Sequence, residues 1–303
     1  MPQPKTAFVF PAFVRDYQDD QSPGITGFPK HFQQLLNQAA QIIDPELLFL
    51  DPKEQNFLDH ELRTQYIAFI HGCAVADVLE DKGIRPDYIS GYSMGIYAAL
   101  VQGGAVSFED GLMLIRNAFQ EISYTTLTGR FGMAGIIGLN EKDLNFILAN
   151  FPEVELTNQN SAFSVVLSGR QHHLEKVLEL ARQEGAFHAR MLNVTVPYHS
   201  HLLKSAALQF AKFVYTLDVK CLKTPVISVL DQQILHSPED IKTELVENLY
   251  KHFNWLKTQE KMQQLNVTTF IECGPGKNLA KNARFIPGNY VFVTPFSAVN
   301  LEK

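Results

Sequence analysis

A serine flanked by glycines has the surroundings that best fit a chemical role. Ser93 stands in Gly91-Tyr92-Ser93-Met94-Gly95, a G-x-S-x-G pentapeptide that follows an apolar run and opens a helical pattern. At such a strand-to-helix turn, the glycines leave room for a tight backbone and for a substrate carbonyl to approach Oγ. The N–H groups at the start of the helix, that of Met94 first, would stabilise an oxyanion. The spacing therefore predicts a serine nucleophile.

A serine at its ordinary pKa is a weak nucleophile, so a base must lie within hydrogen-bonding reach. Among 10 histidines, His199 and His201 differ from the rest because they follow Pro197, where an apolar strand breaks and a new element begins. Loops at strand ends commonly hold catalytic groups. The other histidines lie in amphipathic, charged or insert segments, where a packed or solvated side chain is expected. These two histidines are the candidate bases.

The elements that must position these residues alternate between short apolar runs and helical patterns, which predicts an α/β protein. Gly83 ends the most regular helical pattern, at a position typical of a helix C-cap. A segment rich in Asp, Gly and Pro at 16–29 predicts a loop. Strands are predicted at 6–10, 86–90, 226–230, 269–272 and 290–294, and helices at 30–43, 66–82 and 94–103.

A different texture begins at Gly132. Strand-like segments at 132–139, 163–167 and 189–194 alternate with helical segments at 141–150 and 172–184. This order over about 65 residues is typical of a small ferredoxin-like unit. We therefore predict two unequal domains, the smaller one inserted in the larger.

Composition excludes several classes of protein. Of 303 residues, 46% are hydrophobic and 19% charged, which is ordinary for a globular protein. The net charge of −6 argues against nucleic-acid binding. The 3 cysteines are far apart, so neither a disulfide framework nor a zinc site is indicated. The first residues match neither a signal peptide nor a membrane span, and we expect a soluble cytoplasmic protein.

Four motifs occur in register along the chain: FVFPAF near the start, GYSMG, TVPYHSHLL and IECGPGKNL. Together with ENLYKHFNW and ALVQGGAVSFEDGL, they make the chain resemble the malonyl-CoA:acyl-carrier-protein transacylases and the acyltransferase domains of polyketide synthases. The resemblance implies an α/β hydrolase-like large domain with a parallel sheet, formed by 1–128 and 197–303. It also implies a ferredoxin-like α+β insert at 129–196.

The resemblance also implies roles for individual residues. Ser93 would be the nucleophile and His199, rather than His201, the base. A carbonyl from the segment containing Asn248 would orient the histidine, so no acidic third member is expected. The oxyanion hole would be formed by the backbone N–H groups of Phe13 and Met94.

Three positions depart from the family pattern. Phe13 and Asn248 each stand where the family has glutamine, and Ala118 stands where a helix arginine grips the malonyl carboxylate. Arg116 cannot replace that arginine, because two residues turn a helix by about 200°. A buried carboxylate without a partner is costly, so a neutral acyl group is expected. The acyl pocket is expected to be lined by Phe13, Tyr92, Ala118 and Tyr198.

Two enzymatic functions and one binding function fit this sequence. The first is acyl transfer from a coenzyme A or carrier-protein thioester to an acyl carrier protein, and the second is hydrolysis of such thioesters. The third is partner binding without catalysis, against which the retention of Ser93 and His199 argues. We expect a monomer that uses no bound cofactor and no metal. Carrier proteins are acidic, and a basic face for them is expected at Lys277, Lys281 and Arg284.

Overall fold

The computed structural model describes residues 3–12, 21–43, 45–46, 61–126 and 129–301. Over these ranges the chain alternates between helices and strands, as the sequence predicts for an α/β protein. The strands are β1 (Lys5–Phe10), β2 (Tyr88–Gly91), β3 (Phe131–Ile137), β4 (Val154–Ser161), β5 (Ser164–Arg170), β6 (His188–Met191), β7 (Phe253–Asn254), β8 (Val267–Glu272) and β9 (Val291–Val293). The helices are α1 (Phe28–Ile42), α2 (Glu61–Asp81), α3 (Ile96–Gln102), α4 (Phe108–Thr126), α5 (Glu141–Leu148), α6 (Gln171–Gln183), α7 (Lys204–Val214), α8 (Pro238–Glu247), α9 (Trp255–Gln264), α10 (Asn278–Ala283) and α11 (Pro295–Leu301).

The first sheet is parallel and has the strand order β2-β1-β8-β9. Residues 7–10 of the inner strand β1 are buried on both faces, which explains why they form an uninterrupted apolar run. Phe10 pairs with Gly91 at the carboxyl ends of β1 and β2. Ligands of parallel α/β sheets bind at that edge, and the edge here carries the G-x-S-x-G turn.

The second sheet has the order β6-β3-β5-β4, and these four strands are antiparallel to their neighbours. Helices α5 and α6 connect them in the order β3-α5-β4-β5-α6-β6, which is the ferredoxin-like arrangement predicted. A short strand from the large domain, β7, extends this sheet by pairing parallel to β4. The sheet therefore joins the two parts of the fold. The division at 129 and 196 stays a prediction.

Two sequence-based expectations need correction, and the bounds of one further strand are not predicted. The apolar run at 226–230 forms only isolated bridges, Ile89 with Val226 and Ile227 with Ile234, instead of a strand. The first long helix begins at Phe28 rather than at 30, because Pro29 occupies a first-turn position that tolerates proline. The prediction gave no bounds for β4, since its sequence VELTNQNS is mostly polar and lacks an apolar run.

Apolar residues form one large core around the helices of the first sheet, a smaller core inside the insert, and a third cluster that includes residues of β1, β7 and β8. Helix α2 is buried over most of its length, which fits its high content of Ala, Ile and Val. Ala118 of α4 belongs to the large core. Among the helices that the structure describes, none combines the length and the hydrophobicity that a membrane crossing requires.

Candidate active site

Ser93 sits in a strained turn directly after β2. Its φ of 55° is in the left-handed region, and residues Ser93–Gly95 form a short 3-10 turn that leads into α3. A side chain at Gly91 would lie 2.2 Å from the backbone nitrogen of Ile96, and one at Gly95 would lie 2.1 Å from the carbonyl oxygen of Phe10. Both glycines are therefore required by the close packing of the turn. The predicted elbow geometry is present.

His199 lies against the serine. Its Nε2 is 2.6 Å from Oγ of Ser93, and both side chains are buried. The φ of His199 is 62°, and its backbone N–H donates to the carbonyl of Leu249 over 2.9 Å. The ring of Phe253 packs edge-on against the imidazole at 4.7 Å between centroids. The predicted contact between the two residues is present, whereas their catalytic roles stay a prediction.

The environment of His199 keeps the imidazole neutral. Burial lowers its pKa to about 3, because the charged form loses its hydration. The backbone of Asn248 acts in the opposite direction and raises the pKa. Even so, Nδ1 of His199 makes no hydrogen bond of normal geometry within the described part of the chain. A neutral imidazole with Nε2 on the serine hydroxyl can accept its proton.

Asn248 contacts the nucleophile segment with its side chain. Its Nδ2 donates to the carbonyl of Ser93 over 2.9 Å, a contact that the sequence does not predict. The neighbouring carbonyl of Leu249 holds the backbone of His199, as described above. The segment thus lies beside both residues. An orienting role for the Asn248 carbonyl stays a prediction.

Ser93 and His199 open into a cavity of about 360 Å³ between the two sheets. Buried residues from the insert, including Met133 and Val166, give its inner wall an apolar character. Asn158 and Asn160 of β4 add amide groups to this wall. The further lining residues are Pro11, Ala12, Tyr92, Gly135, Ile137, Ser164, Val165, His188, Arg190, Leu192, Tyr198, Asn278, Leu279, Lys281 and Asn282.

The charged lining residues are all solvent-exposed. Arg190 of β6 and Lys281 of α10 reach the cavity from different parts of the fold. His188 is a further exposed residue that lines it. The buried lining residues carry no formal charge while His199 is neutral. This arrangement combines a neutral interior with cationic groups at the solvent-exposed side.

Two of the four predicted acyl-pocket residues line this cavity, namely Tyr92 and Tyr198. The hydroxyl of Tyr92 donates to Oδ1 of Asn160 over 2.8 Å, and that of Tyr198 accepts from Nε2 of Gln65 over 3.0 Å. Glu61 lies beside the Tyr198 hydroxyl, and burial raises the pKa of its carboxyl. Tyr198 thus joins the cavity to a polar cluster on α2.

The other predicted pocket residues give a different result. Ala118 is fully buried in the large core and does not line the cavity, so its place in the acyl pocket stays a prediction. Arg116 is exposed, as the helical geometry predicts. Phe13, predicted for both the pocket and the oxyanion hole, lies outside the described residues. Met94 is buried directly after Ser93, at the position required for its predicted donor role.

The IECGPGKNL motif connects β8 to α10. The carboxyl of Glu272 accepts from the N–H groups of Leu279 and Ala280, each over 3.0 Å, and burial raises its pKa to about 7. A side chain at Gly274 would lie 2.3 Å from the ring of Pro11, which lines the cavity. The motif therefore packs the end of β8 against the loop after β1.

The three basic residues predicted to dock a carrier protein lie within α10 and at its two ends. Lys277 precedes this six-residue helix, Lys281 belongs to it, and Arg284 follows it. Lys281 lines the cavity described above, whereas Lys277 and Arg284 line a neighbouring depression. Their role in docking stays a prediction. Among the described residues, no three His, Cys, Asp or Glu side chains are grouped so that they could hold a metal ion.

Sequence reasoning missed several residues around the site. Ser168 of β5 donates to the carbonyl of Tyr198 over 2.7 Å, and Glu155 of β4 contacts the two residues that follow His199. Phe253 packs against both Tyr92 and His199. The family-like segment ENLYKHFNW contains this phenylalanine, but nothing in its sequence indicates which side chain faces the histidine.

The parallel sheet, the ferredoxin-like unit and the cavity between them define an α/β protein with a hydrolase-like large domain. The family model described as "Acyl transferase domain" matches residues 46–281. The chain therefore belongs to the acyl transferase domain family, which confirms the family resemblance drawn from its motifs.

Individual relatives agree with this assignment. The chain is 31% identical over 288 residues to a malonyl CoA-acyl carrier protein transacylase of Bacillus subtilis, covering 91% of this chain and 88% of that protein. It is similar to the crystal structure of an acyl-carrier-protein S-malonyltransferase from Burkholderia pseudomallei, with a TM-score of 0.87, 29% identity and coverage of 98% and 99%. A transacylase from Coxiella burnetii gives a TM-score of 0.88 at 26% identity, with coverage of 99% and 96%. The predicted fold class is thereby confirmed.

Proposed function

We propose that this protein transfers an acyl group from a coenzyme A or carrier-protein thioester to an acyl carrier protein, through an ester on Ser93. The observation that carries the proposal is the 2.6 Å contact between Oγ of Ser93 and Nε2 of His199 at a cavity with an apolar wall. The named relatives, which are carrier-protein transacylases, support the same reaction. The proposed setting is fatty acid or polyketide synthesis.

The first half of the reaction forms the acyl-enzyme. His199 accepts the proton of Ser93 as Oγ bonds to the thioester carbonyl carbon, and the carbonyl oxygen becomes an oxyanion. The N–H groups of Met94 and Phe13 stabilise this oxyanion. As the intermediate collapses, the carbon–sulfur bond breaks and the thiolate takes the proton from the imidazolium. The products are the Ser93 ester and a free thiol.

The second half reverses these steps with a different thiol. The phosphopantetheine thiol of the carrier protein gives its proton to His199 and attacks the ester carbonyl. The bond between Oγ and the acyl carbon breaks, and Oγ recovers a proton from the imidazolium. Since burial lowers the pKa of His199 to about 3, the imidazole is neutral and ready to act as a base at the start of each half.

The acyl group is proposed to be neutral rather than a malonyl group. The support is that Ala118, at the position where the family has its carboxylate-binding arginine, is a buried apolar residue. The cationic cavity residues Arg190 and Lys281 are exposed, so they are poorly suited to pair with a carboxylate buried near Ser93. Without such a partner a malonyl carboxylate is costly to bury.

Hydrolysis by the same serine and histidine is the second candidate function. In that reaction water replaces the carrier-protein thiol and releases a free acid. The observation that favours it is again Ala118, because loss of the arginine is expected of relatives that strip acyl groups from carrier proteins. The proposed setting of either reaction is a cytoplasmic monomer that needs no bound cofactor.

Lys277, Lys281 and Arg284 are the proposed contacts for the acidic carrier protein. Reversing all three charges is expected to slow transfer to the carrier protein at least about tenfold, while acylation from coenzyme A thioesters changes little. Unchanged rates with both substrates would remove this part of the proposal.

The main experiment follows acetyl, malonyl and longer acyl groups through the reaction. The protein is mixed with each thioester, on coenzyme A and on a phosphopantetheinylated carrier protein, and intact masses are recorded over time. We expect an adduct of one acyl group per protein, then transfer to carrier protein, with acetyl exceeding malonyl by at least about tenfold.

The Ser93→Ala variant is the matched control and should form no adduct. Rapid release of free acid without transfer would contradict the transferase and favour the hydrolase. Absence of an adduct with every thioester would contradict both enzymatic functions. Faster acylation by malonyl than by acetyl would remove the neutral preference alone.

A further inference from the structure

The backbone of His199 is held in a conformation that a histidine seldom adopts. Its φ of 62° belongs to the left-handed region, which side chains with a Cβ disfavour. Such a conformation persists only where the surrounding contacts fix it. The orientation of the imidazole toward Ser93 therefore depends on the groups that hold the turn formed by residues 198–201, which we call the histidine turn.

The insert provides one group of these contacts on the N-terminal side of His199. Oγ of Ser168 on β5 donates to the carbonyl of Tyr198 over 2.7 Å, and Oγ of Ser168 is itself 3.0 Å from Oγ1 of Thr157 on β4. Both hydroxyl side chains are fully buried. The second sheet thus fixes the peptide group between Tyr198 and His199.

Glu155 provides the contacts on the C-terminal side. Its Oε1 accepts a hydrogen bond from Oγ of Ser200 and contacts Nδ1 of His201, and its Oε2 accepts from the backbone N–H of His201 over 3.2 Å. Ser200 is fully buried, whereas the side chain of Glu155 is 29% exposed. One carboxylate on β4 therefore binds two consecutive residues after the histidine.

We infer that Glu155 is a positioning residue that holds the histidine turn so that Nε2 of His199 stays on Oγ of Ser93. The inference rests on the proposed function, because it assigns to the insert a part in the Ser93 reaction. The insert then does more than form a wall of the cavity. Its strand β4 carries the lining residues Asn158 and Asn160 and also the carboxylate that fixes the base.

The alternative is that Glu155 only braces the insert against the large domain. A bracing residue would change the stability of the protein and leave the rate of the folded enzyme unaltered. A positioning residue changes the rate of proton transfer from Ser93, because a small displacement of a catalytic group costs about a hundredfold in rate. The two roles can therefore be separated.

The experiment measures the rate constant for reaction of Ser93 with a fluorophosphonate probe in the full-length protein. Oγ bonds to phosphorus, fluoride leaves, and His199 takes the serine proton, so the rate reports the pair without a thioester substrate. Glu155→Ala is expected to lower this rate constant by about ten- to a hundredfold. Glu155→Gln keeps one acceptor oxygen and is expected to remain within about threefold of the wild type.

Glu153→Ala is the matched control. Glu153 lies two residues earlier, is half exposed, and pairs with Arg170 and His173 instead of the histidine turn. Its removal should leave the rate constant unchanged. With a reactive thioester, Glu155→Ala should lower kcat and change KM by less than about twofold.

The outcomes are separated by recording the unfolding midpoint of every variant. Equal rate constants for folded Glu155→Ala and Glu153→Ala would overturn the inference, and an unreactive Ser93 in the wild type would overturn the proposed function itself. If Glu155→Ala does not fold at the assay temperature, Ser200→Ala replaces it, since this variant removes the hydroxyl that Glu155 binds. A loss of at least about threefold is then expected, and an unchanged rate overturns the inference.

Discussion

Ser93 and His199, the proposed nucleophile and base, both lie in the left-handed region of backbone conformation, with φ of 55° and 62°. Strain of this kind collects where side chains must be presented at a fixed angle. Here it brings Oγ and Nε2 to 2.6 Å although 106 positions separate the residues along the chain. The two side chains form one unit, so their removal should not be additive.

Replacing either member of the pair should abolish most of the activity. For Ser93→Ala, His199→Ala and the double variant, kcat for carrier-protein acylation is expected to fall by about 10⁴- to 10⁶-fold, and nearly equally in all three. The reason is that the serine without its base, or the base without its serine, cannot form the ester. Quenched time courses with intact-mass detection measure kcat for the three variants. A double variant much slower than either single one would show independent contributions instead.

The lowered pKa of His199 predicts an unusual pH dependence. Since burial lowers this pKa to about 3, the imidazole is already neutral at pH 5 and can accept the Ser93 proton there. The rate constant of Ser93 acylation should therefore stay within about twofold between pH 8 and pH 5. Single-turnover measurements, with folding followed at each pH by the fluorescence of Trp255, test this. A fall centred near pH 6.5 would contradict it.

At the scale of elements, the turn from β2 to α3 is the feature that the sequence predicts best. Its two glycines are needed because the backbone segments of the turn pack too closely for a side chain. The G-x-S-x-G pentapeptide alone indicates this need. By contrast, the bounds of β4 cannot be predicted because most of its residues are polar, and the predicted strand at 226–230 is wrong. Apolar runs indicate burial, and pairing partners decide whether a buried run becomes a strand.

The same turn gives a prediction about the backbone. A side chain at Gly95 would lie 2.1 Å from the carbonyl oxygen of Phe10, so Gly95→Ala must displace either β1 or the turn. We expect a loss of about 1 to 3 kcal/mol in the free energy of unfolding and at least about a tenfold lower rate of Ser93 acylation. Denaturant titration and the fluorophosphonate assay measure the two effects.

Gly135→Ala is the control for that change. A side chain at Gly135 would meet only Leu192 at 3.5 Å, an ordinary contact, so the change in stability should be much smaller. Equal unfolding midpoints for the two variants would show that the turn tolerates a side chain at Gly95.

At the scale of the whole molecule, the candidate site lies where the two sheets meet. Ser93 lies in the turn that follows β2 of the first sheet, while Glu155 and Ser168 belong to the second sheet and contact the turn that carries His199. The motifs identified the serine and the histidine because those residues occur in recognisable local patterns. They could not identify Glu155, since its contacts join strands and turns whose proximity depends on the complete fold. The shape of the cavity and the exposure of its charged residues likewise depend on the complete fold and cannot be predicted from the motifs.

Buried carboxyls away from Ser93 and His199 give a prediction for the stability of the whole fold. Burial raises the pKa of Glu244 from 4.5 to about 7, although its oxygens accept from Oγ of Ser228 and from the N–H of Val229. Burial raises the pKa of Glu272 to about 7 as well. A raised pKa means that the folded protein binds the proton more tightly than the unfolded chain does. The stabilisation is complete below about pH 4.5 and is lost as the pH rises through about 7.

From pH 5 to pH 7 the contribution of Glu244 to the free energy of unfolding should therefore decline, by at most ~1.4 kcal/mol per pH unit. The change is Glu244→Gln, which removes the titration and keeps one acceptor, so the decline of stability with pH should become shallower. Glu184→Gln, at an exposed position on the surface, should leave the slope unchanged. Urea titrations at each pH measure these slopes. A slope for Glu244→Gln as steep as that of the wild type would show that the folded protein does not hold a proton on this carboxyl. The hydrogen bonds from Ser228 and Val229 would then outweigh the cost of burying the charged carboxylate.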